Sequence, residues 1–501
     1  MASTSTEGRR QYANFWKPRT FGFGKLDRTA SLILIIQAMV GMMLGMALGI
    51  VFTAVLVVYL LVFTAAIYFR DKHGMTLLNK LEERMKFVNN KRKGRNKFRA
   101  ALMGGTSQLP APLVSSRISK HDDGFGREFA LVHFPETAQV AVLMRCQPIG
   151  GELHDADTID NMVASWGGFG AFFSTQPGVD QYTATVEVGP NYGYSSQQIV
   201  EEYIDPNAPE LAQKITRDTA LMGTQSRNTM KTWVAVTFQV SREAQRMAKH
   251  QEEYDEVLAG DIAMRLPAMI ERLRNAGGGP VRPMTADEIT EHVRVSYDPI
   301  MARAAETARS EGNPLNIEWE NAGPAAADAE WDYYRHDSGL SVTYRMTVGP
   351  LGSITEDSLR SIVSAHPDIH RKRVVLVRHV IDSGSTAMIA ESGYRNAKTR
   401  ASAPRATAED ELNAEIAERV RNEVSKGAGL EYFTILTTLT VTDPEKLPKA
   451  VTAFEHQLAP TASIVTRPFY GAEEVGFATA LGIGFDLKAH EPIEAMKRVM
   501  K

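Results

Sequence analysis

Hydrophobic and polar positions change regime twice along the chain. Residues 31–69 form an almost wholly apolar stretch whose one strongly polar side chain is Gln37, and residues 29–69 carry no charge. About 20 apolar residues of helix suffice to cross the hydrocarbon of a bilayer, so this stretch predicts two crossings. Beyond residue 120 the pattern shifts to short runs rich in Val, Phe, Tyr and Thr. Residues 128–134, 140–146, 182–188 and 233–240 read as strands, followed by 340–348, 374–380, 432–441 and 464–467. Residues 241–275 place Met247, Tyr254, Val257, Leu258, Ile262, Leu266, Met269, Ile270 and Leu273 at helical spacing, and Gly277-Gly-Gly-Pro280 closes the run. That pattern predicts one long amphipathic helix with a hard stop.

Local signals fix several helix starts. Thr285-Ala-Asp-Glu288 is a capping-box pattern, and Asp443-Pro444-Glu445 sets an acidic N-cap before a proline at the first helical position. Residues 432–441, 444–458 and 462–467 form a strand-helix-strand unit, and residues 139–188 form a second. Two such units separated by long helices predict an α+β body with antiparallel sheets rather than a doubly wound one. Residues 313–339 read as a long loop. Residues 383–425 read as mostly helical, interrupted near 401–404.

Charge divides the chain in the same places. Residues 1–28 hold six Lys/Arg against two acids, residues 70–99 hold eleven against three, and the remaining residues, 100–501, hold 39 basic against 54 acidic side chains. A basic head therefore precedes an acidic body of net charge −15. With Lys/Arg crowding both flanks of the apolar stretch, the positive-inside rule predicts a plasma-membrane hairpin with both termini cytoplasmic. The stretch is too long, and starts too far into the chain, for a signal peptide. Gly41, Gly45 and Gly49 either loosen the turn of this hairpin or form a small-residue face for helix packing. The basic run Lys91, Arg92, Lys93, Arg95, Lys97 and Arg99 lies beside the apolar stretch, which favours anionic lipid over nucleic acid as its partner. These divisions give a basic segment 1–28, a transmembrane hairpin 29–69, a juxtamembrane helix and linker 70–120, and α+β cytoplasmic domains at 121–280 and 281–501.

Candidate chemistry is sparse. The single cysteine, Cys146, excludes an intramolecular disulfide framework and any multi-cysteine metal site, so the bulk reads as reduced and cytoplasmic. The nearest approach to a phosphate loop, Gly393-Tyr-Arg-Asn-Ala-Lys398-Thr399, is one residue short and has Ala where the second glycine is required. No Gly-x-Ser-x-Gly elbow or His-Glu-x-x-His pair occurs. His366 and His370 flank Pro367 and read as a solvated turn, and Asp155, Asp157 and Asp160 read as an acidic helix start. No catalytic residue, metal or cofactor is expected. Trp166-Gly-Gly-Phe169-Gly-Ala-Phe172-Phe173 joins bulky aromatics to flexible backbone, and Trp166, Phe169, Phe172 and Phe173 serve either as core or as a partner-contact or membrane-grazing loop.

Tyr12-Ala-Asn-Phe-Trp16-Lys-Pro18-Arg19, a Gly22-Phe-Gly24 turn, the charge-free hairpin and its basic exit resemble the PrgI-family membrane subunit of Gram-positive conjugation machinery over about the first 90 residues. The body is similar to the amino-terminal, non-ATPase region of TraC/TrbE-type secretion ATPases. The residues that carry this second likeness are the 241–275 helix, Arg282-Pro-Met-Thr285-Ala-Asp-Glu288, Val441-Thr-Asp443-Pro-Glu-Lys-Leu447 and the stretch from Phe477 to Gly484. The combination resembles fused subunits of actinobacterial integrative conjugative elements. The resemblance implies a non-enzymatic inner-membrane scaffold of a type IV-like apparatus, with a separate hexameric ATPase, other channel subunits and further copies of itself as partners, and no sequence-specific nucleic acid. The alternatives are an EccE-like membrane subunit of a type VII system and a membrane-tethered enzyme whose site carries no recognisable motif.

Overall fold

The structure, a computed structural model, describes residues 75–100, 109–148, 154–192, 203–225, 228–240, 251–349, 357–404 and 406–487, with residues 35–39 and scattered single positions besides. Helix α1 (Leu77–Arg92) leads into β1 (Lys97–Arg99), and β2 (Arg117–Asp122), β3 (Glu128–Phe134) and β4 (Gln139–Cys146) follow as a meander. Next come α2 (Ala156–Thr175), β5 (Val179–Pro190), α3 (Glu210–Gln225), β6 (Asn228–Gln239), α4 (Gln251–Leu273), β7 (Val281–Pro283), α5 (Ala286–Tyr297) and α6 (Met301–Ser310). The remainder supplies β8 (Ala326–Ala329), β9 (Tyr334–His336), β10 (Gly339–Val348), β11 (Arg371–Val380), α7 (Ser383–Ala401), α8 (Ala408–Ser425), β12 (Glu431–Val441), α9 (Leu447–Ala453), β13 (Val465–Pro468) and α10 (Glu473–Thr479).

All thirteen strands among the described residues join one antiparallel sheet of order β1-β8-β9-β10-β12-β11-β5-β6-β4-β3-β2, with β13 on β10 and β7 on β4. The sheet contains the same device twice. In β4-α2-β5, the two flanking strands run parallel because each pairs antiparallel with β6, which is inserted between them. In β12-α9-β13 the inserted strand is β10. These are split strand-helix-strand units. Eight register pairs between β11 and β5, from Lys372 with Val188 to His379 with Gln181, join the two halves into one sheet.

Both faces of the sheet are covered, so central strands lose the in-out alternation of a half-exposed sheet. In β4 seven of eight residues are buried. On one face, Val132, Phe134, Leu143 and Trp233 pack under α5 and the segment Phe477, Leu481, Ile483 and Phe485. On the other, α2 and α4 cover Leu131, Val142, Val234 and Val236, while Phe454 and the turns after α9 cover Val342, Val374 and Leu439.

Residues 313–339 hold a 3-10 turn, Trp319–Asn321, and the strands β8 and β9 rather than one long loop. Trp319 is buried and its indole N–H donates to the Ser116 carbonyl at 3.1 Å. The inward residues of β8 are Ala327 and Ala329, which give no hydrophobic alternation strong enough to read; pairing to β1 and β9 makes the strand. The long helix is described from Gln251, and residues 241–250 lie outside the described residues. At its stop, Gly279 adopts φ +61°, and a Cβ there would lie 2.0 Å from the Gln147 carbonyl oxygen, so only glycine fits.

Among the described residues, no helix is long and apolar enough to cross a membrane. The expected two-helix transmembrane hairpin is therefore corrected, and with it the multi-pass location in the plasma membrane. Apart from residues 35–39, 41, 43, 55, 58, 59, 62 and 63, the stretch 29–69, with Gly45 and Gly49, lies outside the described residues, as do residues 1–34 with the Tyr12-to-Arg19 motif.

Candidate functional site

The sequence-predicted residues separate in space. Gly41 is helical and buried. Of the basic run, Lys91 donates to Glu330 at 2.7 Å and Arg99 grips Asp328 at 2.9 and 3.1 Å, which ties α1 and β1 to β8. Arg92, Lys93, Arg95 and Lys97 remain exposed. Helix α2 sends Phe169 and Phe173 into the core, with ring centroids 4.7 Å apart and both against Tyr182. Trp166 and Phe172 lie at the margin of that cluster, under Arg378 at 5.7 Å and Arg272 at 4.4 Å. The Tyr182 hydroxyl donates to Glu431 at 2.9 Å, and burial drives its acidity far below that of a free phenol.

A buried ionic network that the linear sequence does not advertise occupies the centre of the sheet. Glu187 on β5 stands directly opposite Lys231 on β6 and Arg373 on β11, and residues opposite one another share a face. Its carboxylate accepts from Arg371 Nη1 and Arg373 Nε, each at 2.8 Å. Burial alone would raise this carboxyl, but the two guanidiniums hold it well below the usual carboxylate range. Arg373 also donates to the Ser296 hydroxyl and, at 3.3 Å, to the Ala480 carbonyl.

That last contact belongs to a series. Polar side chains on the sheet and on α5 hold the backbone after α10: His292 donates to the Leu481 carbonyl at 2.9 Å, Trp233 to Gly482 at 2.8 Å, and Gln181 and Thr237 to Gly484 at 3.0 and 2.8 Å. The segment is fastened by its own carbonyls, which satisfies buried groups on both sides. Burial lowers the His292 pKa to about 3, so the ring stays neutral and its Nε2–H is the donor.

Two hydroxyl-imidazole chains link neighbouring strands. His336 donates from Nδ1 to the Tyr297 carbonyl at 2.6 Å and accepts at Nε2 from Ser341 at 2.8 Å, which in turn is 2.8 Å from Thr440. Both His336 and Ser341 are fully enclosed, so this relay joins β9, β10 and β12 rather than meeting a substrate. On β2 and β3, Ser119 lies 2.7 Å from both His121 Nε2 and His133 Nε2. Arg117 faces His133 Nδ1 at 3.2 Å, which assigns the His133 proton to Nε2 and turns the Ser119 proton toward His121. Arg117 is itself clamped by Asp255 at 2.5 and 2.7 Å, so the chain straps β2 to α4.

The hairpin α7–α8 is inserted between the adjacent strands β11 and β12. Its base is closed by Ile381 N–H donating to the Leu430 carbonyl at 3.2 Å. The two helices pack chiefly on each other. Small buried residues, Thr386, Ala390 and Gly393 facing in from α7 and Ala417 from α8, permit close approach, and Arg421 stacks on Tyr394 at 4.0 Å. Helix α8 carries six acids against Arg419 and Arg421, and Glu409, Glu411, Glu415 and Glu418 are exposed.

No family model matches the chain, and no curated protein matches it. The site residues therefore carry no assignment from relatives. Gly393, where the sequence comes nearest to a phosphate loop, is a buried position inside α7.

Proposed function

We propose that this chain is a non-enzymatic scaffold subunit of a type IV-like conjugation or secretion apparatus, and that its folded body docks a separate ATPase. The observation that carries the reading is the α7–α8 hairpin, which stands off a broad sheet and presents an acidic helix outward. Opposite charge at an interface steers encounter and sets register. A single sheet of thirteen strands supplies a stiff base for such an arm. The buried Ser341–His336 pair and the Arg117–Asp255 clamp act as struts, which fits a load-bearing part better than a reaction site.

The test is affinity purification of the full chain from its native cells, with mass spectrometry and an ATPase assay on the eluate. Recovery of a TraC-like ATPase, lost when Glu411, Glu415 and Glu418 are replaced by Lys without a change in melting temperature, supports the reading. Recovery of type VII core proteins would instead favour the EccE-like alternative. ATP turnover by the purified chain alone would sink the scaffold reading.

A further inference from the structure

One end of β4, β5, β6 and β11 carries more positive charge than its neighbours neutralise. Glu187 is shared by Arg371 and Arg373, Glu288 is shared by Arg282 at 2.6 Å and Arg145 at 3.9 Å, and Glu291 takes Arg309 at 2.6 Å. Lys231, half-buried and opposite Glu187, makes no hydrogen bond or ion pair among the described residues. Six bases thus meet three carboxylates, an excess of three positive charges. The cations act on one another: burial, with Arg371, Arg309 and Arg145 behind it, pushes the Lys231 ammonium toward its neutral form despite Glu187.

The unmet donors come from three strands. Arg145 Nε on β4 and Arg371 Nε on β11 are buried without a hydrogen-bond partner, and Lys231 on β6 lies between those strands in the sheet. Gly189 has no side chain to fill the space over Arg371, whose Nε lies 3.6 Å from where a Cβ would be. The cluster is not sealed: Arg309 and Arg282 have side chains 44% and 52% exposed. Unpaired charge out of water is costly, and it is retained where a counter-ion completes it. Guanidinium N–H groups and an ammonium converging from separate strands suit an anion with several oxygens and at least two charges.

We propose that this cluster is a binding site for a phosphate-bearing ligand, held by Lys231, Arg145 and Arg371. The inference stands apart from the docking role, which uses the opposite, acidic character of α8.

The test titrates the full chain with inorganic pyrophosphate, ATP or adenosine at constant ionic strength, following both the melting temperature and the phosphorus NMR linewidth. Pyrophosphate and ATP should give saturable stabilisation and phosphorus line broadening, and adenosine, which carries no phosphorus, should leave the melting temperature unchanged. Tighter binding of ATP than of pyrophosphate assigns a nucleotide, and equal binding assigns a simple polyphosphate. Lys231→Met should weaken binding at least tenfold, yet melt no lower than the natural protein in phosphate-free buffer, because it deletes an unpaired cation. Lys231→Gln gives a second variant that keeps a polar tip. The absence of saturable binding, or equal binding by the natural protein and both variants, overturns the proposal.

Discussion

Glu187 and Arg373 face each other across β5 and β11, bonded at 2.8 Å with each side chain only 3% exposed. Removing the carboxylate charge would leave two guanidiniums buried together, which costs about 3–5 kcal/mol. Glu187→Gln should lower the stability measured by urea denaturation by that amount. Because the Glu187 pKa is depressed in the fold, its contribution is present above the ordinary carboxylate pKa and is lost as pH falls below it. The difference between the two proteins should therefore shrink in acid, and an unchanged difference would refute the assignment.

Glu473 behaves in the opposite sense. Its Oε2 accepts from the Thr343 N–H at 2.9 Å, its Oε1 is buried without a partner, and burial, aided by Asp332 and Glu474, raises its pKa to about 8. Above the ordinary carboxylate pKa the unfolded chain ionises while the folded one stays protonated, so stability is lost as pH rises toward 8. Glu473→Gln keeps the shape of the neutral acid. The variant should match the natural protein at pH 4.5 and exceed it at pH 8 by several degrees, on the order of 2–5 kcal/mol. A constant offset at both pH values would contradict this.

His292 and His336 are held neutral by burial, with pKa values lowered to about 3 and about 4. Unfolding frees both rings to protonate near their ordinary value, so stability should fall as pH drops from about 6.5 toward 4. In NMR spectra, the imidazole C2 protons of both residues should not titrate above pH 5. A midpoint between 6 and 7 for either would show that the ring is reached by water.

Gly484 tests the segment fastened across the sheet. It adopts φ +88°, and a Cβ there would meet Ala141 Cβ at 2.4 Å and Thr237 Oγ1 at 2.8 Å. Gly484→Ala should cost about 2–4 kcal/mol by combining left-handed strain with overpacking. Gly126, at φ +78° with open space around it, isolates the strain alone, and Gly126→Ala should cost about 1 kcal/mol. Equal losses at the two positions would mean that the segment does not press on the sheet.

Local chemistry was legible where the decisive contacts are local. The Thr285 and Glu288 capping box closes in both directions at the start of α5, and Asp443 accepts from Glu445 N–H before Pro444. The break near residue 401 separates α7 from α8, and the glycines after Leu273 end α4 where the backbone turns to positive φ. Hydropathy misled where it was read without tertiary support: an uncharged stretch predicts burial, but whether lipid or protein supplies it is outside the pattern itself. The four aromatics of α2 were equally ambiguous in one dimension, and the helix places Phe169 and Phe173 inward with Trp166 and Phe172 at the edge.

The charged cluster was invisible along the chain. Glu187, Lys231, Arg371 and Arg373 lie up to 186 residues apart and read singly as polar residues in strands. They become neighbours only because β11 pairs with β5 and β5 with β6, and register places their side chains on one face. The sequence alone determined the strands and helices with strong local patterning, though not β8 and β9, together with the caps and the acidic bias of the body, since local patterns and caps depend on residues within one or two turns of each other. The tertiary structure decided the single sheet, the insertion of β6 and β10, and the meeting of buried charges, because long-range pairing is set by packing and hydrogen bonds between segments that no local pattern encodes.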